Sequence, residues 1–215
     1  MNNSFDELKI ILENNIFDIS TFIHSTTGDG RLESAESEIL IIDFLLNNYP
    51  NLDIKKDPRE RYWYDILITY KNTLFPINIK ITNSNNNADN VNSKQGMFYA
   101  LTGIWPEDVE GLNRWASFNK KLIDNFNPYL DNDYYFLVCF KDTGKFLFTS
   151  LKHINTLTAN GNNLPFQCNW NNNITLTNRS LKEQSDYIIN TFIESFIRKA
   201  NGLDILLNWR DKYNE

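Results

Sequence analysis

The sequence predicts an α/β or α+β domain, in which a central mixed β-sheet is flanked by helices, and three observations carry that expectation. Two runs rich in β-branched and aromatic residues, YDILITY at 64–70 and LFPINIKIT at 74–82, are joined by a polar segment at 71–73 and read as a hairpin. Segments with helical spacing of apolar residues come before and after the strand runs. No internal repeat and no Pro-, Gly- or Ser-rich linker interrupts the 215 residues, so residues 1–215 read as one domain.

The elements follow in order. Ser4 and Glu7 have capping-box spacing and open a short helix with Leu8, Ile11 and Leu12 on one face. Within residues 1–30 this helical region is a candidate for dimerisation, and Gly28-Asp29-Gly30 marks a loop. A stronger helix is expected over 33–48, with Ile39, Leu40, Ile42, Phe44, Leu45 and Leu46 mostly inward and Pro50 ending it. An edge strand at 52–56 leads into a basic turn with Arg59 and Arg61, and then into the hairpin. A polar stretch, 83–93, precedes helices at 94–103 and 113–126. Strands are expected at 134–140 and 145–150, with Asp142-Thr143-Gly144 turning between them. Residues 155–178 read as loop and contain QCNW at 167–170. Ser180 and Glu183 form a second capping box before a long helix to about Ala200, closed by Gly202, and a last short helix carries Trp209. The five tryptophans are expected in the core or at interfaces, and His153 as a satisfied or surface histidine.

Composition narrows the chemistry. Hydrophobic residues at 41% and charged residues at 22% describe a folded chain, and no apolar run approaches the length of a membrane span. The N-terminus MNNSFDELKI lacks a basic stretch followed by an apolar block, so a cytoplasmic protein without a signal peptide is expected. Two cysteines, Cys139 and Cys168, exclude a disulfide scaffold and a four-thiolate zinc site. Two histidines, His24 and His153, argue against multi-histidine metal chemistry. A net charge of -6 gives no blanket attraction to nucleic acid, so DNA binding would need locally clustered lysines and arginines. Asparagine runs at 85–87 and 171–173 fit either loop filling under coding bias or base-edge readout.

The hairpin carries the chemistry. Asp65 opens its first strand, and after twelve intervening residues Asn78 and Lys80 stand two apart on the second, so they share a face. A carboxylate, an amide oxygen and an ammonium thereby converge at a sheet end. A hard divalent cation takes such oxygen ligands: Asp65, Asn78 and the Ile79 backbone carbonyl. A neighbouring lysine can orient or deprotonate a water nucleophile. From spacing alone, a solvent-facing Asp and Lys on an ordinary hairpin is an equal alternative.

YDILITYKNTLFPINIKIT resembles the PD-(D/E)XK core of type II restriction endonucleases, in the HincII/EcoRV-like subgroup. A glutamate-bearing helix before the hairpin (ESAESEILIIDFLL), a polar loop after the lysine (NSNNNADNVNS) and QCNW before a long helix extend the similarity over residues 33–200. The resemblance implies a restriction-endonuclease-like core, with Asp65, Asn78, Lys80 and Glu38 as the catalytic set and Glu33 and Glu36 as rivals of Glu38. It implies metal binding by Asp65, Asn78 and Ile79, and DNA contacts at Ala88, Asp89, Asn92 and Asn169. Lys94, with Gln95, opens a helix whose N-terminal amides suit a phosphate, and Arg59 and Arg61 suit phosphates beside the cleft. The implied activity is that of a homodimeric endonuclease, dependent on Mg²⁺ with Mn²⁺ able to substitute. It would cut double-stranded DNA at a short palindromic site, leave 5′-phosphate ends, and have a cognate DNA methyltransferase as genetic companion. Two departures stand out: Tyr64 precedes Asp65 where the motif has proline, and Asn78 replaces the second acid. The amide keeps a second class open, a DNA-binding module that does not cleave. A third class is an interaction protein whose hairpin match is coincidental.

Overall fold

The computed structural model describes residues 3–18, 30–56, 62–86, 88–91 and 93–213. Arg59, Arg61, Asn92 and His24 lie outside the described residues, as does the side chain of Glu33. In chain order the elements are α1 (Asn3–Glu13), α2 (Gly30–Asn48), β1 (Asp53–Lys56), β2 (Ile66–Tyr70), β3 (Thr73–Thr82) and β4 (Asp89–Val91). They continue with α3 (Lys94–Thr102), α4 (Trp115–Asn125), β5 (Tyr135–Phe140), β6 (Phe146–Ser150), β7 (Thr158–Ala159), β8 (Phe166–Cys168), α5 (Leu181–Lys199) and α6 (Leu203–Tyr213).

The fold is α+β. A five-stranded sheet runs β1-β2-β3-β5-β6, and it is mixed because β3 and β5 are parallel while the other neighbours are antiparallel. The parallel pair needs a crossover, which α3 and α4 provide. A small antiparallel sheet, β4-β8-β7, forms from the polar stretch after β3 and the loop-rich segment before α5.

Strand alternation splits the core in two. Ile66, Ile68, Phe75, Ile77, Ile79, Tyr135, Leu137 and Cys139 face one side, where Phe5, Leu8 and Leu12 of α1 and Ile41, Ile42 and Leu45 of α2 cover them. Phe136, Val138 and Phe140 face the other side, into an aromatic-rich layer with Phe98, Phe118, Trp170 and Phe192. Gly96 of α3 lies so close to the Tyr134 ring that an added Cβ would sit 2.5 Å from it. Cys139 and Cys168 are buried free thiols. Among the described residues no helix is long and apolar enough to cross a membrane.

Several expectations are corrected. Helix α1 starts at Asn3, so Ser4 is inside it. Glu7 does not close a capping box but accepts from the Tyr70 hydroxyl at 2.9 Å and pairs with Lys71, tying α1 to the hairpin turn. Phe5, Leu8 and Leu12 of α1 are buried in the core. In α2, Ile39, Leu40 and Leu46 are exposed, and the inward stripe is Glu38, Ile41, Ile42 and Leu45. The hairpin loop is two residues, Lys71 and Asn72, since Tyr70 pairs with Thr73. Both have positive φ (49° and 62°), the signature of a type I′ turn. The second capping box is as expected: Ser180 accepts from the Glu183 amide, and the Glu183 carboxylate accepts from the Ser180 amide.

Candidate active site

Strand β3 outruns its neighbour. The β2–β3 ladder ends at Ile66–Ile77, with one further bond from the Asp65 amide to the Ile77 carbonyl at 2.9 Å. Beyond that point β3 keeps β5 on one side and has an open edge on the other. The backbone groups of Ile77, Ile79 and Ile81 point to the β2 side, since those of alternate residues such as Thr82 bond toward β5. The Ile79 carbonyl therefore faces the open edge, where the ladder supplies no partner.

Side chains converge on this edge from three directions. Asp65 projects to the same face as Asn78 and Lys80, directly across from Asn78 in the extended register. Glu38 arrives from the inward stripe of α2, and Asp89 and Asn90 arrive from β4. Glu38, Asp65, Asn78, Ile79, Lys80, Ile81, Asp89 and Asn90 line one cleft of about 260 Å³. Its walls are polar, although it lies between two apolar cores.

Asp65 is held firmly. Its Oδ2 accepts from the Asn78 amide nitrogen at 2.8 Å and from the Ile79 backbone N–H at 2.6 Å. That arrangement leaves Oδ1 and the Asn78 amide oxygen directed elsewhere. Burial pushes the Asp65 carboxyl pKa up, against the Ile79 hydrogen bond and the charges of Lys80 and Lys56. Burial, reinforced by the Asp65 charge, pushes Glu38 up to about 7. Burial pushes the Lys80 ammonium down, opposed by Asp65, Asp89, Cys168 and Glu38. Lys80 makes no ion pair within 4.0 Å among the described residues, so its ammonium is held between carboxylates without being locked to one.

The donor set fits a hard divalent cation. Asp65 Oδ1, the Asn78 amide oxygen, the Ile79 carbonyl and the Glu38 carboxylate are all oxygen donors. On the β4 side, Asp89 Oδ2 is buried and has no hydrogen-bond partner, an arrangement that costs stability unless a cation or water compensates. No three of the described His, Cys, Asp and Glu side chains close on one point as a metal site.

The expected DNA-contacting residues fall in different places. Asp89 lies in the cleft itself, beside Lys80, with Oδ1 accepting from Asn86 at 2.5 Å. Ala88 is exposed on the loop leading to it. Asn169 is outside the cleft and caps a 3-10 turn, its Oδ1 accepting from the amides of Asn171 and Asn172. That turn still reaches the loop after Lys80, because Asn171 donates to the Ser84 carbonyl. Lys94 does not line the cleft. Its ammonium donates to the Asn113 carbonyl at 2.8 Å and lies 4.5 Å from the Trp115 ring centroid. Of the rival glutamates, Glu36 is exposed and absent from the cleft lining. His153 is satisfied by Ser150 at 2.6 Å and stacks on Phe5.

Two residues of electrostatic weight were not singled out from sequence. Asn90 lines the cleft, and Lys56 acts on both Glu38 and Asp65. A signal for Lys56 exists in the register, since it pairs with Ile66, the neighbour of Asp65.

No protein-family model matches the chain, and no curated protein gives a significant match.

Proposed function

We propose that this protein is a type II, PD-(D/E)XK-like endonuclease that hydrolyses double-stranded DNA site-specifically as a homodimer, with Mg²⁺ as cofactor and Mn²⁺ as its substitute. The observation that carries the reading is the convergence of Glu38, Asp65, Asn78 and Lys80, with the Ile79 carbonyl, on the open edge of β3. Chance placement of an Asp and an Asn-x-Lys on a hairpin does not require a third acid from a separate helix. When bound, Mg²⁺ would supply Lewis-acid polarisation of the phosphodiester and neutralise charge developing on it.

The chain's own groups do the rest. Asp65 is fixed by two hydrogen bonds to one oxygen and offers the other as a ligand of set direction. Asn78 and the Ile79 carbonyl are neutral donors beside it. Lys80, its proton affinity lowered by burial, orients an attacking water or takes its proton. Glu38, with a pKa of about 7, exchanges a proton near neutral pH. The loop after Lys80 and the turn capped by Asn169 lie side by side and form a surface on which groove contacts would be made. Two-fold symmetry of a homodimer would match a palindromic site, and a cognate DNA methyltransferase would protect host DNA from such cleavage.

The test is incubation of the purified protein with several phage and plasmid DNAs in Mg²⁺, and separately in Mn²⁺. Discrete, reproducible fragments that vanish with Lys80→Ala are expected. DNA left intact in both metals, also by Asn78→Asp, would overturn the enzymatic reading. One observation favours a second reading: the neutral Asn78 amide donates to Asp65 where the motif has an acid. A DNA-binding module of this kind would show sequence-specific affinity without cleavage in either metal.

A further inference from the structure

A wide apolar groove lies between α4 and α5, far from the polar cleft in character. It has a volume of about 480 Å³ and is lined by Leu122, Ile123 and Phe126 on one side and Ile189, Phe192, Ile193, Phe196 and Ile197 on the other. Ile123, Ile193 and Ile197 at its mouth are 75, 51 and 65% exposed. Asn119 Oδ1, in the same groove, is buried without a hydrogen-bond partner.

The same chain carries a shape that fits it. Helix α6 follows α5 through Gly202, at φ 84°, and every described side chain from Leu203 to Asp211 is exposed. Leu203, Leu206 and Leu207 recur at i, i+3 and i+4, with Arg210 continuing the same side. The three leucines are 41 to 63% exposed, while Asp204, Ile205 and Asn208 turn away from them. The helix is amphipathic, yet its own groove stands open beside it.

We propose that the occupant of the groove is α6 of a second copy of this chain, in a reciprocal two-fold exchange that forms the homodimer. Four features support one copy serving the other. Groove and helix occur once each per chain, so a two-fold axis satisfies both at once. Among the described residues the groove is open, and the leucine face of α6 is exposed. The six exposed aliphatic side chains of the two faces amount to on the order of 700 Å² per protomer, close to one partner's share in a standard stable interface. The helix presents an i, i+3, i+4 apolar face to an apolar groove, a common mode of helix recognition.

This deepens the homodimer part of the proposed function, but its readout is mass and not cleavage, so the two can fail separately. The experiment is sedimentation equilibrium of the full chain at micromolar concentration. Wild type, Leu206→Glu on the helix and Ile123→Glu in the groove are each run alone, and the two variants are also run mixed. All three proteins should show the same far-ultraviolet circular dichroism, because both positions are exposed. Wild type should be a dimer, and each variant should weaken dimerisation at least 100-fold. Mixing should restore association, because the intact groove of Leu206→Glu accepts the intact helix of Ile123→Glu. A monomeric wild type would overturn the proposal, showing α6 exposed or folded onto its own groove. A dimer insensitive to either variant, or one lost with Leu206→Glu but not with Ile123→Glu, would overturn it as well. So would variants that stay monomeric when mixed. DNA cleavage that fails while the dimer forms would sink the nuclease reading and leave this interface standing.

Discussion

Glu38→Gln tests the electrostatics of the cleft without any DNA. Burial and the Asp65 charge push the Glu38 pKa from 4.5 to about 7, whereas in the unfolded chain it titrates at its ordinary value. The folded state therefore holds the proton more tightly, and stability must fall as pH rises from about 4.5 to about 7. Below that window Glu38 is neutral in both states, and above it the folded protein bears a poorly solvated charge. A shift of this size corresponds to about 3 kcal/mol for a fully buried group, and solvent screening of the partly exposed Glu38 brings it to about 1 to 2 kcal/mol, most of it between pH 5 and pH 8. Glutamine keeps the shape and removes the titration. In metal-free buffer with chelator, urea unfolding at pH 5 and pH 8 should show Glu38→Gln gaining roughly 1 to 2 kcal/mol on wild type between the two pH values. Relief of Asp65 adds to the same sign. Mg²⁺ should restore the wild-type protein more at pH 8 than at pH 5, because only ionised carboxylates bind it well. If both proteins lost the same stability across the window, Glu38 would not be ionising in a desolvated cleft, and its place in the candidate site would have to be abandoned.

Other perturbations follow from the same geometry. Lys80→Ala should lower the cleavage rate by about 10² to 10⁴-fold, the usual worth of a positioned proton-transfer group, while retaining DNA affinity in a gel-shift assay; unchanged cleavage would remove Lys80 from the mechanism. Asn78→Asp places a second carboxylate beside Asp65, so half-saturation by Mg²⁺, followed by thermal shift without DNA, should fall on the order of tenfold. An unaltered midpoint would mean that residue 78 does not touch the ion. Lys56→Met removes a charge that lowers the Glu38 pKa, so the window of pH-dependent stability should move upward; a downward move would contradict the assigned field. Gly96→Ala drives a methyl group into the Tyr134 ring and should cost about 1 to 3 kcal/mol in urea unfolding. A change within about 0.5 kcal/mol, the range of neutral surface substitutions, would mean that α3 moves aside freely.

Local signals carried much of the fold. The hairpin was legible because β-branched alternation and a polar break are short-range, and α5 because Ser180 and Glu183 satisfy each other's groups within one turn. The inward face of α2 was not legible. Ile39 to Ile42 and Phe44 to Leu46 are apolar around most of the helix, so periodicity chose no side, and the buried stripe is decided by where the sheet lies. The strands β4, β7 and β8 were missed because they are two or three residues long and pair across long loops, between segments dominated by asparagine. In the candidate site, strand period made the shared face of Asp65, Asn78 and Lys80 legible, while spacing alone left an ordinary hairpin as an equal alternative. Glu38 could be singled out among three glutamates only by resemblance, and its i, i+3, i+4 relation to Ile41 and Ile42 is what turns it to the cleft. Asp89 was expected at the DNA surface, but pairing of β4 with β8 sets it beside Lys80, a long-range consequence that no local pattern announces.

The overhang of β3 has a consequence beyond chemistry. Past its last pairing with β2, an edge that leaves the Ile79 carbonyl and the Ile81 backbone without a ladder partner is a template onto which another chain can add a strand. Here the same stretch is ringed by Glu38, Asp65, Lys80 and Asp89, and an incoming backbone would have to strip water from all four. The charged groups of the cleft thus also act as gatekeepers against edge-to-edge aggregation. Variants that neutralise several of them at once should lose solubility together with any activity, and the two losses would share one structural cause.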